Sequence, residues 1–337
     1  PTITKQSVLP PANLVFLVDV SGSMSDNDKL PLVKSSLKML SKQLRAQDTI
    51  SIVTYAGRTQ VTLPATKGSD TDKILAAIDS LDASGSTNGE AAIKLAYQQA
   101  KIHYKKDGIN RILMMTDGDF NVGVSDVDEM LDIIRRERDS GVSLSTFGFG
   151  EGNLNDHMME QVADNGNGNY SYIDSLSEAK KALVDEMSAT FNTVAKDVKV
   201  QVEFNPHTVK EWRLIGYENR VLAKEDFNND KVDAGELGAG KSVVALFEIT
   251  PVGQQGWLDD SRYQAYPINH TGKNTELGFL KLRYKAPNSN TSTLLTLPIS
   301  NQTQKPSSEL AFALSVASFG ETLKQSKYIG NWQLNDS

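Results

Sequence analysis

Residues 13–23 of this 337-residue chain read NLVFLVDVSGS, and they decide its fold class. A short, continuous apolar run that ends in turn residues is typical of a central strand in a parallel sheet, because such a strand is buried on both faces. Open parallel sheets present their ligand sites at the carboxyl ends of the strands. Asp19, Ser21 and Ser23 therefore fall where a functional site is expected.

Strand and helix patterns alternate from this segment to about residue 190. Strands that alternate with helices predict a doubly wound, mostly parallel sheet with helices on both faces. The predicted strands are 13–19, 49–55, 111–116, 142–147 and 170–173, and the predicted helices are 29–44, 74–81, 89–104, 127–139, 155–163 and 176–191.

After about residue 194 the pattern changes to that of antiparallel strands. Residues 198–204 (VKVQVEF) alternate between apolar and polar, as does much of 242–249, and turn residues such as Asn205-Pro206 separate such runs. A helical pattern returns from Ser307 to about Lys324, and its residues Leu310, Leu314, Ala317 and Leu323 are predicted to share one face. We therefore expect an N-terminal extension over 1–12, an α/β domain over 13–193 and a β-rich domain over 194–337 that ends in a helix.

The composition excludes several classes of protein. A hydrophobic share of 39% with 23% charged residues is that of a globular chain, not a disordered one. The net charge of −7 argues against a nucleic-acid-binding surface. No apolar run approaches the roughly 18 residues of a membrane-spanning helix. The chain has no cysteine, which excludes thiol nucleophiles, disulfides and cysteine-ligated metals.

Three polar segments are expected to meet at one edge of the sheet. They are Asp19–Ser23, the loop at 85–88 (GSTN) that precedes a helix, and Asp117, which follows the strand at 111–116. Each alone is an ordinary helix cap or turn. Together they offer two carboxylates and three hydroxyls, an all-oxygen set that suits Mg²⁺, Mn²⁺ or Ca²⁺ better than zinc or copper.

Three segments resemble the three parts of the metal-ion-dependent adhesion site of von Willebrand factor type A domains. They are residues 15–23 (VFLVDVSGS), 85–89 (GSTNG) and 112–118 (ILMMTDG). The resemblance runs from about Asn13 to Phe191. It implies that the metal ligands are Asp19, Ser21, Ser23, Thr87 and Asp117, and that a Glu or Asp of a partner protein supplies the last ligand. Mg²⁺ is the first expectation for the ion, with Mn²⁺ and Ca²⁺ as alternatives.

Four segments narrow the resemblance to a group of bacterial envelope lipoproteins that have a type A domain and a C-terminal domain of unassigned function. These segments are residues 9–18 (LPPANLVFLV), 116–123 (TDGDFNVG), 165–174 (NGNGNYSYID) and 194–206 (VAKDVKVQVEFNP). That resemblance implies a location on the periplasmic side of the cell envelope. It also implies a lipid anchor upstream of Pro1 as the only membrane association.

The resulting expectation is a protein-binding module of the cell envelope, for adhesion or assembly, that is not an enzyme and does not bind nucleic acid. Two alternatives stay open: a metal-dependent hydrolase that uses the same ion, and a purely structural metal site. Against the hydrolase, no general base and no second metal cluster are evident in the sequence.

Three further features have simpler interpretations. Residues 226–230 (DFNND) begin like a calcium loop, but Lys231 and Leu237 stand where the loop needs glycine and an acidic residue, so a polar turn is expected. The glycines of 147–152 (FGFGEG) are expected to form a sharp turn that borders the metal site. Asp119 either affects the ion indirectly, through contacts with its ligands, or is a solvated turn residue.

Overall fold

The protein is represented by a computed structural model, and the structure describes residues 10–85, 89–118, 127–151, 154–186, 193–217, 221–230, 232, 234–258, 275–287 and 289–329. The chain divides into two compact units, with the boundary between residues 192 and 193.

The first unit is built on a six-stranded sheet with the order β3-β2-β1-β4-β5-β6. Neighbouring strands are parallel, except that β3 is antiparallel to β2. This arrangement confirms the expected α/β class. The strands are β1 (Ala12–Asp19), β2 (Thr49–Tyr55), β3 (Thr59–Lys67), β4 (Ile109–Thr116), β5 (Ser143–Phe149) and β6 (Tyr170–Ile173).

Helices cover both faces of this sheet, and strand β1 shows why. Leu14, Phe16 and Val18 belong to one core cluster, whereas Val15 and Leu17 belong to the other. Side chains alternate along a strand, so a continuous apolar run supplies both clusters. The helices are α1 (Leu30–Ser41), α2 (Thr71–Asp79), α3 (Gly89–Ile102), α4 (Val127–Arg138), α5 (Asp156–Asn165) and α6 (Leu176–Lys180), the last of which continues as a wider helical turn over Lys181–Glu186. Helices α1, α2 and α6 pack on the first cluster, and α3, α4 and α5 on the second.

Strand β3 is absent from the sequence-based prediction. Its residues TQVTLPATK are mostly polar and include Pro64, which lacks a backbone donor and is confined to edge strands within sheets. The strand occupies an edge, and of its side chains only Leu63 and Thr66 are buried. An edge strand with so little buried surface gives a weak pattern, which is why the sequence did not indicate it.

The second unit is β-rich and ends in a helix, as expected. A four-stranded antiparallel sheet has the order β12-β11-β7-β9, and β8 pairs with β10 in a separate two-stranded sheet. The strands are β7 (Thr193–Phe204), β8 (Val209–Ile215), β9 (Gly235–Gly238), β10 (Leu246–Pro251), β11 (Glu276–Lys285) and β12 (Ser292–Ser300), and helix α7 spans Ser308–Leu323.

Helix α7 differs from its prediction in one respect. At 100° per residue, Leu310, Leu314 and Ala317 do share a side of the helix, but Leu323 lies on the opposite side. None of the 16 residues of α7 is buried. Within the described part of the chain, no helix is both long enough and apolar enough to cross a membrane.

Candidate metal-binding site

The candidate site lies at the carboxyl ends of the adjacent strands β1 and β4. The chain runs from β1 to β2 on one side, while β4 and β5 lie on the other, so the strand order reverses between β1 and β4. Such a switch point leaves a crevice beyond the strand ends, where open α/β sheets bind their ligands. Val18 pairs with Met115, which places Asp19 opposite the end of β4.

Asp19 is fully buried at the floor of this crevice. Its Oδ1 accepts a hydrogen bond from the Ser21 backbone amide at 2.9 Å, and its Oδ2 accepts one from the Thr116 hydroxyl, also at 2.9 Å. Burial raises the pKa of Asp19 to about 6, the hydrogen bonds from Ser21 and Thr116 oppose that rise, and the charge of Asp117 adds to it. A buried carboxylate with a raised pKa favours a nearby cation.

Ser21 and Ser23 bring their hydroxyls together above Asp19. The chain leaves β1 through a single helical turn, Gly22–Ser25, and this turn sets the two Oγ atoms 3.0 Å apart. Ser21 is almost fully buried, whereas Ser23 is exposed. The pair therefore connects the buried carboxylate with the solvent.

The backbone around Gly22 connects the serine segment to the loop at 84–85. An added Cβ would lie 3.6 Å from the Gly85 carbonyl oxygen, which is an ordinary contact. The Gly22 amide donates to that same oxygen at 3.0 Å, and the Ser84 amide donates to the Val20 carbonyl at 2.7 Å. These bonds fix the 84–85 segment beside the serines. The next residues, including the predicted ligand Thr87, lie outside the described residues, as does Asp119.

Asp117 completes the part of the site that the structure describes. It follows β4 directly and is only 3% exposed. Gly118, which comes next, has φ = +86°, and an added Cβ would lie 2.8 Å from the Asn155 amide nitrogen. Only glycine fits at this position, so the tight turn that follows Asp117 requires Gly118. Of the five predicted ligands, the structure therefore brings Asp19, Ser21, Ser23 and Asp117 to one crevice.

Sequence reasoning missed Lys29. Its Nζ lies 3.1 Å from Asp117 Oδ2 and 3.0 Å from the Ser23 carbonyl oxygen, with 12% of the side chain exposed. Its aliphatic stem crosses Gly150, where φ is +83° and an added Cβ would lie 2.5 Å from Lys29 Cε. Gly150, the residue after β5, thus borders the site and leaves room for a lysine, while Gly152 lies outside the described residues. A charged residue just before an amphipathic helix looks like an ordinary surface lysine in the sequence.

Tyr55, at the end of β2, was also missed. The side chain is fully buried, and burial followed by the negative charge of Asp19 raises the pKa of its phenol well above 10. The site thus has a neutral phenol beside a buried carboxylate. In the sequence Tyr55 is one apolar residue at the end of a buried strand, with nothing that distinguishes it from the core.

The donor set fits a hard divalent cation. Carboxylate and hydroxyl oxygens are the ligands that Mg²⁺ and Mn²⁺ prefer, and the two adjacent hydroxyls beside two buried carboxylates supply four of them. Among the described residues there is no group of three or more His, Asp or Glu side chains placed to hold a metal. A cation in this crevice would therefore depend on the serine hydroxyls as well as on Asp19 and Asp117.

The calcium-like segment at 226–230 is held by side chains of the sheet. Asp230 Oδ1 accepts hydrogen bonds from Arg283 at 3.1 Å and from Ser292 at 2.5 Å, and both lower the pKa of Asp230. The Asn229 carbonyl accepts a hydrogen bond from Lys199 at 2.6 Å. The oxygens of this turn are thus bound by cationic side chains and a hydroxyl, which accounts for the segment as a structural turn.

Comparison with known proteins gives two family matches. The von Willebrand factor type A domain matches residues 13–186, and a family described as "Uncharacterized protein YfbK, C-terminal" matches residues 189–337. These two matches cover the two units of the structure.

Individual relatives extend over both units. The chain is 52% identical over 332 residues to an uncharacterized protein, YfbK, of Escherichia coli, covering 98% of this chain and 58% of that protein. It is 27% identical over 316 residues to an uncharacterized protein of Synechocystis, covering 91% of this chain and 70% of the relative. The chain thus spans little more than half the length of the Escherichia coli relative.

A solved structure of a von Willebrand factor type A protein from Catenulispora acidiphila superposes with a TM-score of 0.55. The two sequences are 14% identical, and the match covers 94% of this chain and 73% of that one. At this identity the likeness is one of fold alone.

Proposed function

Because the chain belongs to the von Willebrand factor type A family, we propose that its first unit is a metal-dependent protein-binding module. In this proposal Asp19, Ser21, Ser23 and Asp117, together with Thr87, hold one divalent cation, with Mg²⁺ as the expected ion. An acidic side chain of a partner protein then binds at the remaining position on the ion. When bound, the cation supplies a Lewis-acidic attachment point for that carboxylate.

The observation that carries the proposal is the convergence of four oxygen-bearing side chains at the switch point. Asp19 and Ser21 are buried, and Ser23 lies 3.0 Å away from Ser21 at the solvent side. Few charged ligands leave a cation electron-poor, and Mg²⁺ usually completes its octahedron with oxygens from water or another molecule. A carboxylate is the strongest candidate for that position, because it adds the negative charge that the site lacks.

Lys29 supports the choice of an acidic partner. Its ammonium group stands at the rim of the crevice and is partly exposed. A second positive charge beside the ion strengthens the attraction for an incoming carboxylate and repels a cationic ligand. The expected interface thus has a charged centre, with specificity left to the surrounding loops.

We propose binding rather than catalysis, because Asp19 and Asp117 are both assigned to the ion. The described residues hold no group of three or more His, Asp or Glu side chains that would add a general base beside it. The proposed location, the periplasmic side of a bacterial envelope, rests on sequence resemblance and is tested by cell fractionation.

The function is tested by affinity capture from a bacterial envelope extract. The whole chain is immobilised, and capture is compared in Mg²⁺ and in EDTA for the wild type, Asp117→Ala and Asp132→Asn. Asp132 is an exposed acidic residue of α4 and serves as the charge control. Partners that bind only in Mg²⁺, and bind to the wild type and the control but not to Asp117→Ala, support the proposal. Capture that survives both EDTA and Asp117→Ala contradicts it and favours a structural ion.

A further inference from the structure

One face of the four-stranded sheet in the second unit is apolar across three strands. The register aligns Val200, Leu282 and Leu295 in one row and Val202, Leu280 and Leu297 in the next. We call these six residues the apolar grid. The opposite face carries charged residues, including the Lys281–Glu203 pair at 3.0 Å. The sheet therefore has the two-sided pattern of a sheet that packs something against one face.

Three residues of the apolar grid are largely exposed, whereas Val202, Leu280 and Leu282 are half-buried. Val200 and Leu295 are each 51% exposed, and Leu297 is 59% exposed. Strand β12 lies at the edge of the sheet, and its sequence STLLTLPIS contains no charged residue. Edge strands in monomeric proteins are usually protected by charges or covered by another element. An exposed apolar face that continues to an uncharged edge indicates an interaction surface.

Helix α7 presents a second apolar surface. Phe312, Val316, Phe319 and Leu323 follow the spacing i, i+4, i+7, i+11, so they lie within about 60° of one another on one side of the helix. We call them the helix stripe. Their exposed fractions are 73%, 54%, 44% and 62%. The helix is regular, with its N-terminus capped by the Ser307 hydroxyl, which accepts from the Leu310 amide at 3.2 Å.

The helix is held so that its stripe faces away from its own unit. Arg213 of β8 bonds to Glu321 of α7 at 2.9 Å. Glu321 lies about 180° around the helix from the centre of the stripe. The same Arg213 also bonds to Glu248 at 2.6 Å and stacks on the Tyr328 ring at 4.1 Å. These contacts fix the C-terminal end of α7 through its other side.

The contact between Arg213 and Glu321 places α7 on the side of β8 that is turned away from the apolar grid. Trp212 and Arg213 are consecutive in the strand, so they point to opposite faces. The ring centroids of Trp212 and Phe204 are 5.3 Å apart, and Phe204 lies on the same face of β7 as Val200 and Val202. The Trp212 side chain therefore contacts the face of the grid, whereas Arg213, which holds α7, points the opposite way. While the Arg213–Glu321 bond exists, the helix of one chain cannot cover the grid of that chain.

We propose that the helix stripe of one copy docks on the apolar grid of a second copy, and that the exchange is reciprocal. The sizes match: three strands span about 10 Å, close to the diameter of a helix. Stable specific interfaces bury at least about 1,200 Å² in total, so a stable dimer needs both of the reciprocal helix-on-sheet contacts. The occupant is a second copy because each chain carries both complementary surfaces and its own anchor keeps them apart.

The first test is the mass of the whole chain in solution, measured by light scattering after size exclusion at about 100 μM. We expect twice the chain mass for the wild type, and the mass of one chain for Leu297→Glu and for Phe312→Glu. Thr296→Glu, on the other face of β12, and Ser315→Glu, off the stripe, serve as controls and should remain dimers. A monomeric wild type, or a dimer that survives both Leu297→Glu and Phe312→Glu, overturns the proposal.

The second test uses the absence of cysteine in the chain. Leu297→Cys and Phe312→Cys variants of different mass are mixed and treated with a short bismaleimide crosslinker. Helix-to-sheet docking predicts a heterodimer between the two variants that exceeds either homodimer and exceeds the Thr296→Cys with Phe312→Cys mixture at least fivefold. Equal yields in the two mixtures would show that the copies associate through other surfaces and would overturn the pairing.

Discussion

The ammonium of Lys29 lies 3.1 Å from Asp117 Oδ2, at the rim of the crevice where we propose that a divalent ion binds. The lysine precedes α1, and Asp117 follows β4, so the pair joins two elements that are 88 residues apart. A fixed positive charge at this distance from a proposed ligand lowers the affinity of the site for cations. It also increases the attraction for an acidic partner. Lys29 therefore weakens the binding of the cation and strengthens the binding of an acidic partner.

Lys29→Met should raise the affinity for Mn²⁺ roughly tenfold, because it removes a positive charge beside the ion while it keeps an aliphatic stem. The dissociation constant is measured by isothermal titration calorimetry with the whole chain. Lys29→Arg keeps the charge and serves as the control, with an affinity near that of the wild type. An unchanged or weaker affinity in Lys29→Met would mean that the ammonium has no electrostatic effect on the ion.

Gly150→Ala should reproduce part of the Lys29→Met effect, because the added Cβ displaces the Lys29 stem. The control is Gly253→Ala, whose φ of +89° imposes a similar backbone cost of about 1 kcal/mol but whose Cβ meets open space. Only Gly150→Ala is expected to tighten Mn²⁺ binding. Equal Mn²⁺ affinities in both variants and the wild type would show that the lysine keeps its contact with Asp117 by another path.

In metal-free protein, the raised pKa of Asp19 predicts a specific pH dependence. The folded state holds the Asp19 proton up to about pH 6, and the unfolded state releases it near 3.8. The folded state therefore binds more protons in this window, so the contribution of Asp19 to stability decreases as the pH rises from about 4 to 6. The total loss is about 3 kcal/mol.

This dependence is measured by urea unfolding in EDTA between pH 4 and 7, with the transition of the first unit followed for the wild type and Asp19→Asn. The variant carries no titrating group at this position, so across the window its stability should fall by about 3 kcal/mol less than that of the wild type. Asp132→Asn is the control and should follow the wild type. Parallel curves for the wild type and Asp19→Asn would contradict a raised pKa at Asp19.

Lys199→Met should destabilise the second unit by roughly 2 kcal/mol. Lys199 is 2% exposed and donates a hydrogen bond of 2.6 Å to the Asn229 carbonyl. It is also one of two cations beside the buried Asp197, at 3.5 Å, and the other, Lys285, stays in place at 2.7 Å. Lys281→Met removes the partner of Glu203, whose side chain is largely exposed, and should cost at most about 1 kcal/mol. The two variants are compared by thermal unfolding, and similar losses would refute the distinction between the buried and exposed pairs.

The sequence predicted the first sheet well where burial is complete. The pattern at 49–55 matches β2 residue for residue, because a buried strand has sharp apolar boundaries. The prediction at 170–173 also matches β6, although only Ile173 of that strand is buried. It failed for β3, whose partly exposed residues have no clear period. It predicted that Asp19 and Asp117 lie at the same edge of the sheet, because the strand ends at a switch point are identifiable from the order of elements.

Lys29 and Tyr55 could not be predicted in the same way. Lys29 reaches Asp117 only because Gly150, on another strand, leaves room for its stem, and this three-way proximity has no local signal. Tyr55 is a site residue only because β2 neighbours β1 in register, which sets its backbone carbonyl against the Val20 amide at 3.0 Å. The exposed stripe of α7 was also missed, since periodicity cannot show which side of an apolar helix packs.

We propose that the hydroxyls of Ser21 and Ser23 hold a divalent ion together with Asp19 and Asp117. The most direct measurement is the electron paramagnetic resonance signal of free Mn²⁺ during titration of the whole chain. We predict one bound Mn²⁺ per chain for the wild type and none for the Ser21→Ala, Ser23→Ala double variant under the same conditions, with an unchanged circular dichroism spectrum. One bound ion in the double variant, or none in the wild type at millimolar Mn²⁺, would contradict the account.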